Sequence, residues 1–589
     1  MNCVVVYFRE LRCRVLFFTN GVVAFCFFRT ALLSRFVFAN CVVAFWFCIV
    51  ASTRVFAASV YRVSPLLPPF PLVVASDLAM GVQGLRKFVD SVAPQCSLDA
   101  TRNPSTEHLA FDLNCVVYQC FSKNHRSAGE TIAVVIDFLR RFVEEIRPSK
   151  TVIFALDGPA PLAKLQTQRL RRRKVQHVDT TNNTGYSDLE ITAGSELMQL
   201  LTDKLVEFAK EVQQRFKLAM AVVAGGLTVG EGEAKIAQSL LAVADSSVYA
   251  PVDRVVLVGN DIDLVLTLCG LTPFFNSYLL SPSSKLYFDM PSLFSKWVGD
   301  QGIVGLGDLA SLRLDFVFIM SLAGGDHFIG ISDGAMEVWR RYRTLRQRRP
   351  ETALIEPSSG SLNCVALREV LASQSYRGDA DSAVGQKLLL AALWSMKTTC
   401  SGRCPDYRFT APELEVGPHL GHIHAAILAQ DKIAVPVTKD GPLCPLATFV
   451  ALMPSASNQP KPVREFLGKR KDLASALSVT YADPGRLSQA VNRVVREIDP
   501  KAWSPMEKKR LQFQPATTVD HNGRTSNFTP PRSIVQASIP SPVARSLYDA
   551  ALSPSEDDAT TSCEPAPKKQ RKETNSKAIL TNISLSMDV

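Results

Sequence analysis

The chain has 589 residues, with 65 Lys plus Arg against 55 Asp plus Glu and a formal net charge of +10. That is room for roughly two to four domains and at least one large core. Its 14 Cys follow no CxxC spacing and have no paired His, so neither a zinc site nor a disulfide framework is indicated, and reduced thiols are expected.

Residues 1–79 differ from the rest, holding 12 of the 32 Phe, 5 of the 14 Cys, no Lys and only two acids, Glu10 and Asp77. The run from Phe36 to Thr53 is uncharged and flanked by Arg29, Arg35 and Arg54. It approaches the ~20 apolar residues that span a bilayer. Three readings stand: a membrane anchor, an arginine-rich and acid-poor organellar leader, or upstream sequence ahead of a true start at Met80. The third is preferred because a new and ordered pattern of motifs begins at Met80, and a membrane partner is then not expected.

From Met80 to about residue 335, apolar runs alternate with amphipathic stretches, the pattern of a doubly wound α/β domain with a mainly parallel sheet. Four runs end in aspartate: LAF before Asp112, VIFAL before Asp157, VVLVGN before Asp261 and FVFIMSLAGG before Asp326. Short runs rich in Val, Ile, Leu and Phe read as buried strands. Ligands bind at the carboxyl ends of strands in open α/β sheets, so these carboxylates are expected at one edge. The segments 131–146 and 195–216 repeat apolar residues at helical spacing and read as helices.

Between the second and third runs, TVGEGEAKI carries Glu231 and Glu233. Helix capping is an alternative for both, as acids in a first turn suit the macrodipole. Asp263 follows Asp261 by two residues, and an Asp-capped turn is the alternative there. So many carboxylates at one edge must protonate or bind cations, and an oxygen-only set suits hard divalent ions. After Asp157, LAKLQTQRLRRRK forms a basic helix with Lys164, Gln168, Arg171 and Arg172 on one face. Such a face suits a terminal phosphate, although a solvated basic face is the common outcome. His327 reads as a surface or packing residue and Asp315 as a helix cap.

Residues 336–505 mix helical segments with Pro-containing loops and form a second, mainly helical region. Residues 506–589 are rich in Ser, Thr and Pro and read as a disordered tail. Within it, PAPKKQRKE (Lys568, Lys569, Arg571, Lys572) has the spacing of a nuclear import signal. A nuclear location is expected, with the cytoplasm as alternative.

Taken in order, MGVQGLRKF, FDLNCVVY, LDGPAPLAKLQTQRLRRRK, VGEGEAKI, GNDIDLVLTL and DFVFIMSLAGGDHF resemble the 5′-3′ exoribonuclease (Xrn/Rat) family of the 5′-nuclease superfamily. The resemblance covers about 250 residues from Met80, the candidate nuclease domain 80–335. It implies that Asp112, Asp157, Glu231, Glu233, Asp261, Asp263 and Asp326 form a catalytic site for two Mg²⁺ ions, with Mn²⁺ as a substitute. It implies that Lys164, Gln168, Arg171 and Arg172 hold a 5′-monophosphate. Where the family has a base-stacking histidine the chain has Tyr118, which can still stack. In the second region CPDYRFTAPEL, with Tyr407 and Phe409, stands where the family has a Trp- and Tyr-rich stretch. PLCPLATFVALMPSAS is a degenerate form of another family block.

The implied activity is stepwise hydrolysis of 5′-monophosphorylated single-stranded RNA to 5′-mononucleotides by two-metal catalysis, in RNA processing and decay, with a regulatory protein subunit as a further candidate partner. Two alternatives are a non-catalytic RNA-binding scaffold and a structure-specific flap DNA nuclease. Retention of all seven acids favours catalysis over the scaffold.

Overall fold

The computed structural model describes Cys3–Phe8, Cys13–Phe18 and, apart from short internal segments, residues 82–530. The chain divides into two compact units, Met1–Leu78 and Ala79–Val589. In the first, β1 (Cys3–Phe8) and β2 (Cys13–Phe18) pair antiparallel. The apolar run Phe36 to Thr53 and the basic cluster PAPKKQRKE both lie outside the described residues. Among the described residues no helix is long and apolar enough to cross a membrane.

The second unit is built on a sheet of nine described strands. In chain order these are β3 (Cys96–Ser97), β4 (Thr106–Asp112), β5 (Pro148–Ala155), β6 (Met220–Ala224) and β7 (Val255–Val258). They continue with β8 (Ser277–Leu280) and β9 (Leu286–Asp289), then, after a separate two-stranded pair β10 (Leu362–Asn363) and β11 (Lys432–Ile433), with β12 (Thr517–Asp520) and β13 (Thr525–Asn527). The spatial order is β13-β12-β6-β5-β4-β7-β8-β9-β3, and β6, β5, β4, β7 and β8 are mutually parallel. From β4 the chain first steps outward through β5 to β6, then returns to the other side of β4 for β7 and β8. The strand order therefore reverses between β4 and β7, where ligand crevices of open α/β sheets form.

Side chains alternate across the central strands as a two-period structure demands. Ala110, Ile153, Val222 and Leu257 enter one core, while Phe111, Phe154, Val223 and Val258 enter the other. Both faces are covered, which is why these strands read as unbroken apolar runs. The core holding Phe111 packs against the expected helices, observed at Ala128–Ile146 and Glu196–Phe216. Ser127 and Ser195 cap their amino ends through the N–H groups of Glu130 and Met198.

Three expectations need correction. The run before Asp326 is a helix, Leu306–Ser321, not a strand. Leu312 to Ser321 are all buried, so the apolar stretch Phe316–Met320 runs unbroken around the helix and hides its period. Asp315, expected at a cap, lies inside that helix, fully buried, and accepts from the N–H groups of Leu354 and Ile355 at 3.1 and 2.8 Å and from the Tyr342 hydroxyl. The tail expected from residue 506 is structured through the helix Pro505–Arg510 and through β12 and β13, with β12 antiparallel on β6. An Asn522-Gly523 turn between β-branched segments carried that signal.

Residues 336–505 are mainly helical and share a core with the nine-stranded sheet. Leu388, Trp394 and Ile423 lie in the same apolar cluster as Ile153 and Leu257. A second cluster joins Leu162 and Leu165 of the basic helix to Leu446, Val450, Leu487 and Val491.

Candidate active site

β4 ends at Asp112, which occupies the N-cap position of the helix Leu113–Cys120 without capping it through its side chain. Two residues on, Asn114 reaches across to the end of β5. Its Nδ2 donates to Asp157 Oδ2 at 2.8 Å and its Oδ1 accepts from Asp157 N at 2.9 Å. The other Asp157 oxygen accepts from Gly232 N at 2.8 Å. A Cβ at Gly232 would stand 2.7 Å from Asp112 Oδ1 and 3.4 Å from Asp157 Oδ1. Both carboxylates thus press against a residue whose lack of a side chain makes the approach feasible. Upstream, Gly230 adopts φ 99°, a left-handed conformation that disfavours a side chain. The Gly230 carbonyl accepts from Gly158 N and its N–H donates to Pro159 O, tying the two acidic loops together.

Helix Gly232–Ala244 starts one residue after Glu231. Glu231 is buried and gripped from two sides: Lys164 Nζ at 2.6 Å on Oε1 and His327 Nε2 at 3.0 Å on Oε2. Burial would raise its pKa, but Lys164 and His327 together hold it below the usual carboxylate range. Lys164 Nζ also lies 3.0 Å from Asp326 Oδ2, and Arg171 Nη2 lies 2.6 Å from Asp326 Oδ1. The basic face of the helix Leu162–Val178 is therefore turned onto the carboxylates. Gln168 on the same face is 8 % exposed and its Oε1 has no partner among the described residues. Arg172 reaches aside, donating to Thr192 Oγ1 at 2.8 Å and to Ile191 O at 3.0 Å. The Tyr118 hydroxyl donates to that same carbonyl at 3.4 Å, and the Tyr118 ring is 43 % exposed.

After β7, Asp261 Oδ1 accepts from Asp263 N at 3.0 Å. Asp263 Oδ1 accepts at 2.9 Å from the N–H of Val82, two residues after Met80.

Electrostatics links all seven acids. Burial and then the neighbouring Asp157 and Asp261 charges raise Asp112 to about 8. Burial and Asp261 raise Asp263 to about 7. Burial and Glu231 push up both Asp157 and Glu233. Asp326 is held down despite its burial by Lys164 and Arg171. Among the described residues, no three His, Cys, Asp or Glu side chains stand close enough together to hold one ion as they are. The donor set nevertheless fits hard divalent cations: it is all carboxylate, and a bound cation would offset both the burial and the mutual repulsion that raise these pKa values.

Three polar residues of the site escaped the sequence reading. His327, expected to be a packing residue, packs edge-on against Trp394 with centroids 5.2 Å apart and also meets Glu231. Asn114 braces Asp157. Lys235 is buried beneath the loops, donating to Leu156 O at 2.6 Å and Gly225 O at 2.8 Å, and burial lowers its pKa to about 7. A Lys within a buried helix face was the available signal, since unpaired Lys is almost never buried.

Residues 80–276 match the family described as XRN 5′-3′ exonuclease N-terminus. That stretch resembles the XRN-type exonucleases. The 5′-3′ exoribonuclease 1 of Schizosaccharomyces pombe is 26% identical over 210 residues, 32% of this chain and 16% of that protein. The Homo sapiens 5′-3′ exoribonuclease 1 is 26% identical over 218 residues, 33% of this chain and 13% of that protein. The 5′-3′ exoribonuclease 2 of Gibberella zeae is 24% identical over 244 residues, 35% of this chain and 25% of that protein. The XRN-type similarity thus spans a quarter or less of each of these relatives. Among solved structures, the catalytic core of Rad2 in complex with DNA substrate aligns with a TM-score of 0.27 at 14% identity, covering 59% of this chain and all of that one. The XRN-type segment contains six of the seven acids and the whole basic helix, while Asp326 lies beyond its end.

Proposed function

We propose that the protein is a divalent-metal-dependent 5′-3′ exoribonuclease that releases 5′-mononucleotides from single-stranded RNA bearing a 5′-monophosphate. The observation that carries this reading is Lys164, which joins the basic helix to the carboxylates by contacting both Glu231 and Asp326. A basic face suited to phosphate and an acidic face meet there.

Asp112, Asp157, Glu231, Glu233, Asp261, Asp263 and Asp326 would hold two Mg²⁺ or Mn²⁺ ions. When bound, such ions neutralise the scissile phosphodiester and activate the attacking water. Lys164, Gln168 and Arg171 orient the terminal phosphate; Arg171 offers a guanidinium fork that matches phosphate oxygens. Arg172, held by the backbone of Ile191 and by Thr192, extends that face toward Tyr118. The exposed Tyr118 ring supplies a stacking platform for the first base, a contact that tolerates any sequence. A helix reading only a terminal phosphate admits monophosphorylated ends and rejects bulkier ones.

The test is magnesium-dependent release of mononucleotides from a 5′-phosphorylated oligoribonucleotide by the wild-type protein and by Asp261→Ala and Asp263→Ala. Degradation by either variant at the wild-type rate would overturn the reading. Binding without release by the wild type would favour a scaffold, and preference for flapped DNA would favour a structure-specific nuclease.

A further inference from the structure

Asp261 also lines a cavity of about 260 Å³. Its floor includes Leu279 of β8 and Phe288 of β9, each 3% exposed, and its walls include Arg86, Asn260, Asp261, Ser281 and Ser283. It is smaller than the roughly 300–1,000 Å³ of ordinary small-molecule pockets, a size for part of a nucleotide rather than a whole ligand.

The wall is built, not incidental. β8 and β9 are joined by a tight loop in which Ser281 N donates to Leu286 O and Lys285 N to Ser281 O, at 2.9 and 3.0 Å. Lys285 takes the left-handed φ of 57°. Its ammonium is pinned 2.6 Å from Glu145 Oε2 and 4.0 Å from the centre of the Phe142 ring. The loop thereby holds two hydroxyls on one acceptor: Ser281 Oγ donates to Asn260 Oδ1 at 2.8 Å and Ser283 Oγ at 3.1 Å. With Oδ1 taken up by the two hydroxyls, Nδ2 of the same amide is left as a donor.

Charge decides what such a wall accepts. Asp261 would repel a phosphate, and Arg86, 5.0 Å from the Phe288 ring centre, already pairs with Asp90 at 3.1 Å. A neutral hydroxyl meets no such repulsion, and it can accept from Asn260 Nδ2 while donating to a carboxylate or a serine. The apolar floor suits the carbons of a sugar. We infer that the Asn260–Ser281–Ser283 wall is a ribose subsite that reads the 2′-hydroxyl of one nucleotide of the bound strand and so separates RNA from DNA. This rests on the exoribonuclease reading above. The 2′-hydroxyl is the group by which a protein tells the two apart.

The experiment uses full-length protein and 5′-phosphorylated oligoribonucleotides carrying a single 2′-deoxynucleotide at the first, second or third position. Wild type should process one of these strands about tenfold more slowly than the all-RNA strand, the worth of one hydrogen bond. Asn260→Ala and the pair Ser281→Ala with Ser283→Ala should bring that ratio to within about twofold of unity. Equal wild-type rates on all strands would overturn the inference, as would variants that keep the wild-type ratio. Each ratio is internal to one protein, so partial misfolding does not mimic the result. Should wild type hydrolyse none of the strands, the exoribonuclease reading fails on its own. The ribose subsite is then judged by fluorescence anisotropy of the same strands with Mg²⁺ present: weaker binding of one deoxy-substituted strand, lost in the variants, supports it, and equal binding overturns it.

Discussion

Lys164 Nζ lies 2.6 Å from Glu231 Oε1 and 3.0 Å from Asp326 Oδ2, bridging acids that are 95 residues apart in the chain (231 to 326). Burial disfavours its charge, yet Glu231 and Asp326 more than compensate, so its pKa is raised well above the usual lysine value. Replacing it with Met removes the charge that Glu231 leans on and the contact proposed for the substrate phosphate. Lys164→Met should lower kcat/KM by about a hundredfold or more, as loss of a positioned electrostatic group does. Single-turnover assays on 5′-phosphorylated and 5′-hydroxyl RNA check this: the preference for the phosphorylated strand should shrink along with the rate.

Gly232 offers a sharper test, because the helix it starts has no need of glycine. Gly232→Ala places a methyl group 2.7 Å from Asp112 Oδ1, inside contact distance. Helix propensity alone would favour Ala by about 1 kcal/mol. The expected outcome is a protein that melts near the wild-type temperature but has lost roughly 10²–10³ of its activity, the scale of a displaced catalytic group. Circular dichroism melts beside a nuclease assay measure both.

Raised carboxylate pKa values make the metal-free protein pH-sensitive in a definite direction. Asp112 and Asp263 titrate near 8 and 7 when folded, against 3.8 ordinarily. Their contribution is complete below the unfolded value and is lost as pH rises through the folded values. Without divalent ions the melting temperature should therefore fall between pH 6 and 8. Mg²⁺ at one fixed concentration, a hundred times its dissociation constant near pH 8, should restore about 2.7 kcal/mol there and less at pH 6, where protons compete. Calorimetry with and without EDTA decides it; a Mg²⁺ effect that is largest at pH 6 would contradict the site.

A second titration lies far from the acids. His108 is buried between Thr151 and Asp253, with Nδ1 2.9 Å from Thr151 Oγ1 and Nε2 2.9 Å from Asp253 Oδ2. Burial lowers its pKa from 6.5, outweighing Asp253. A depressed histidine gives stability that is full above 6.5 and is lost as pH falls toward the folded value. Denaturant unfolding of His108→Gln should show a flatter pH slope than wild type just below 6.5. The Asp253 contribution, also depressed, is lost only below 3.8 and remains in the variant.

Much of this was legible because the chemistry sits where a strand stops. Asp112, Asp157 and Asp261 come after runs that are apolar on both sheet faces, so a charge at the end stands out. The basic face of Leu162–Val178 was legible for a similar reason, as four polar residues repeat at helical spacing. Asp326 was placed with the other acids for a partly wrong reason, since the run before it belongs to a helix whose residues Leu312 to Ser321 are all buried. Asn114, Lys235 and His327 act through partners distant in sequence, and nothing local marks a side chain whose role is to hold another. β12 and β13 were lost in a stretch whose composition is mostly that of a tail, although their turn was readable.

Arg169 carries the fourth mutational prediction. It faces away from the acids, is fully buried, and donates to the carbonyls of Ala451 and Leu477. Arg169→Ala should destabilise the protein by about 2–4 kcal/mol, because two buried carbonyls lose their donor. It should also raise KM for 5′-phosphorylated RNA severalfold although it touches no substrate. Arg169→Lys should recover part of the stability; a KM unchanged in Arg169→Ala would mean that the helix keeps its seat without the strut.

That strut gives the weakly legible second region a task that its worn motifs conceal. Ala451 is 282 positions downstream of Arg169, yet a shift of its carbonyl moves the rod on which Lys164, Gln168 and Arg171 are mounted. Drift in the 443–503 helices is therefore free only where it spares this cradle. On the proposed function, damage there would surface first as a blurred sense of the strand's leading end, before the acids themselves were disturbed.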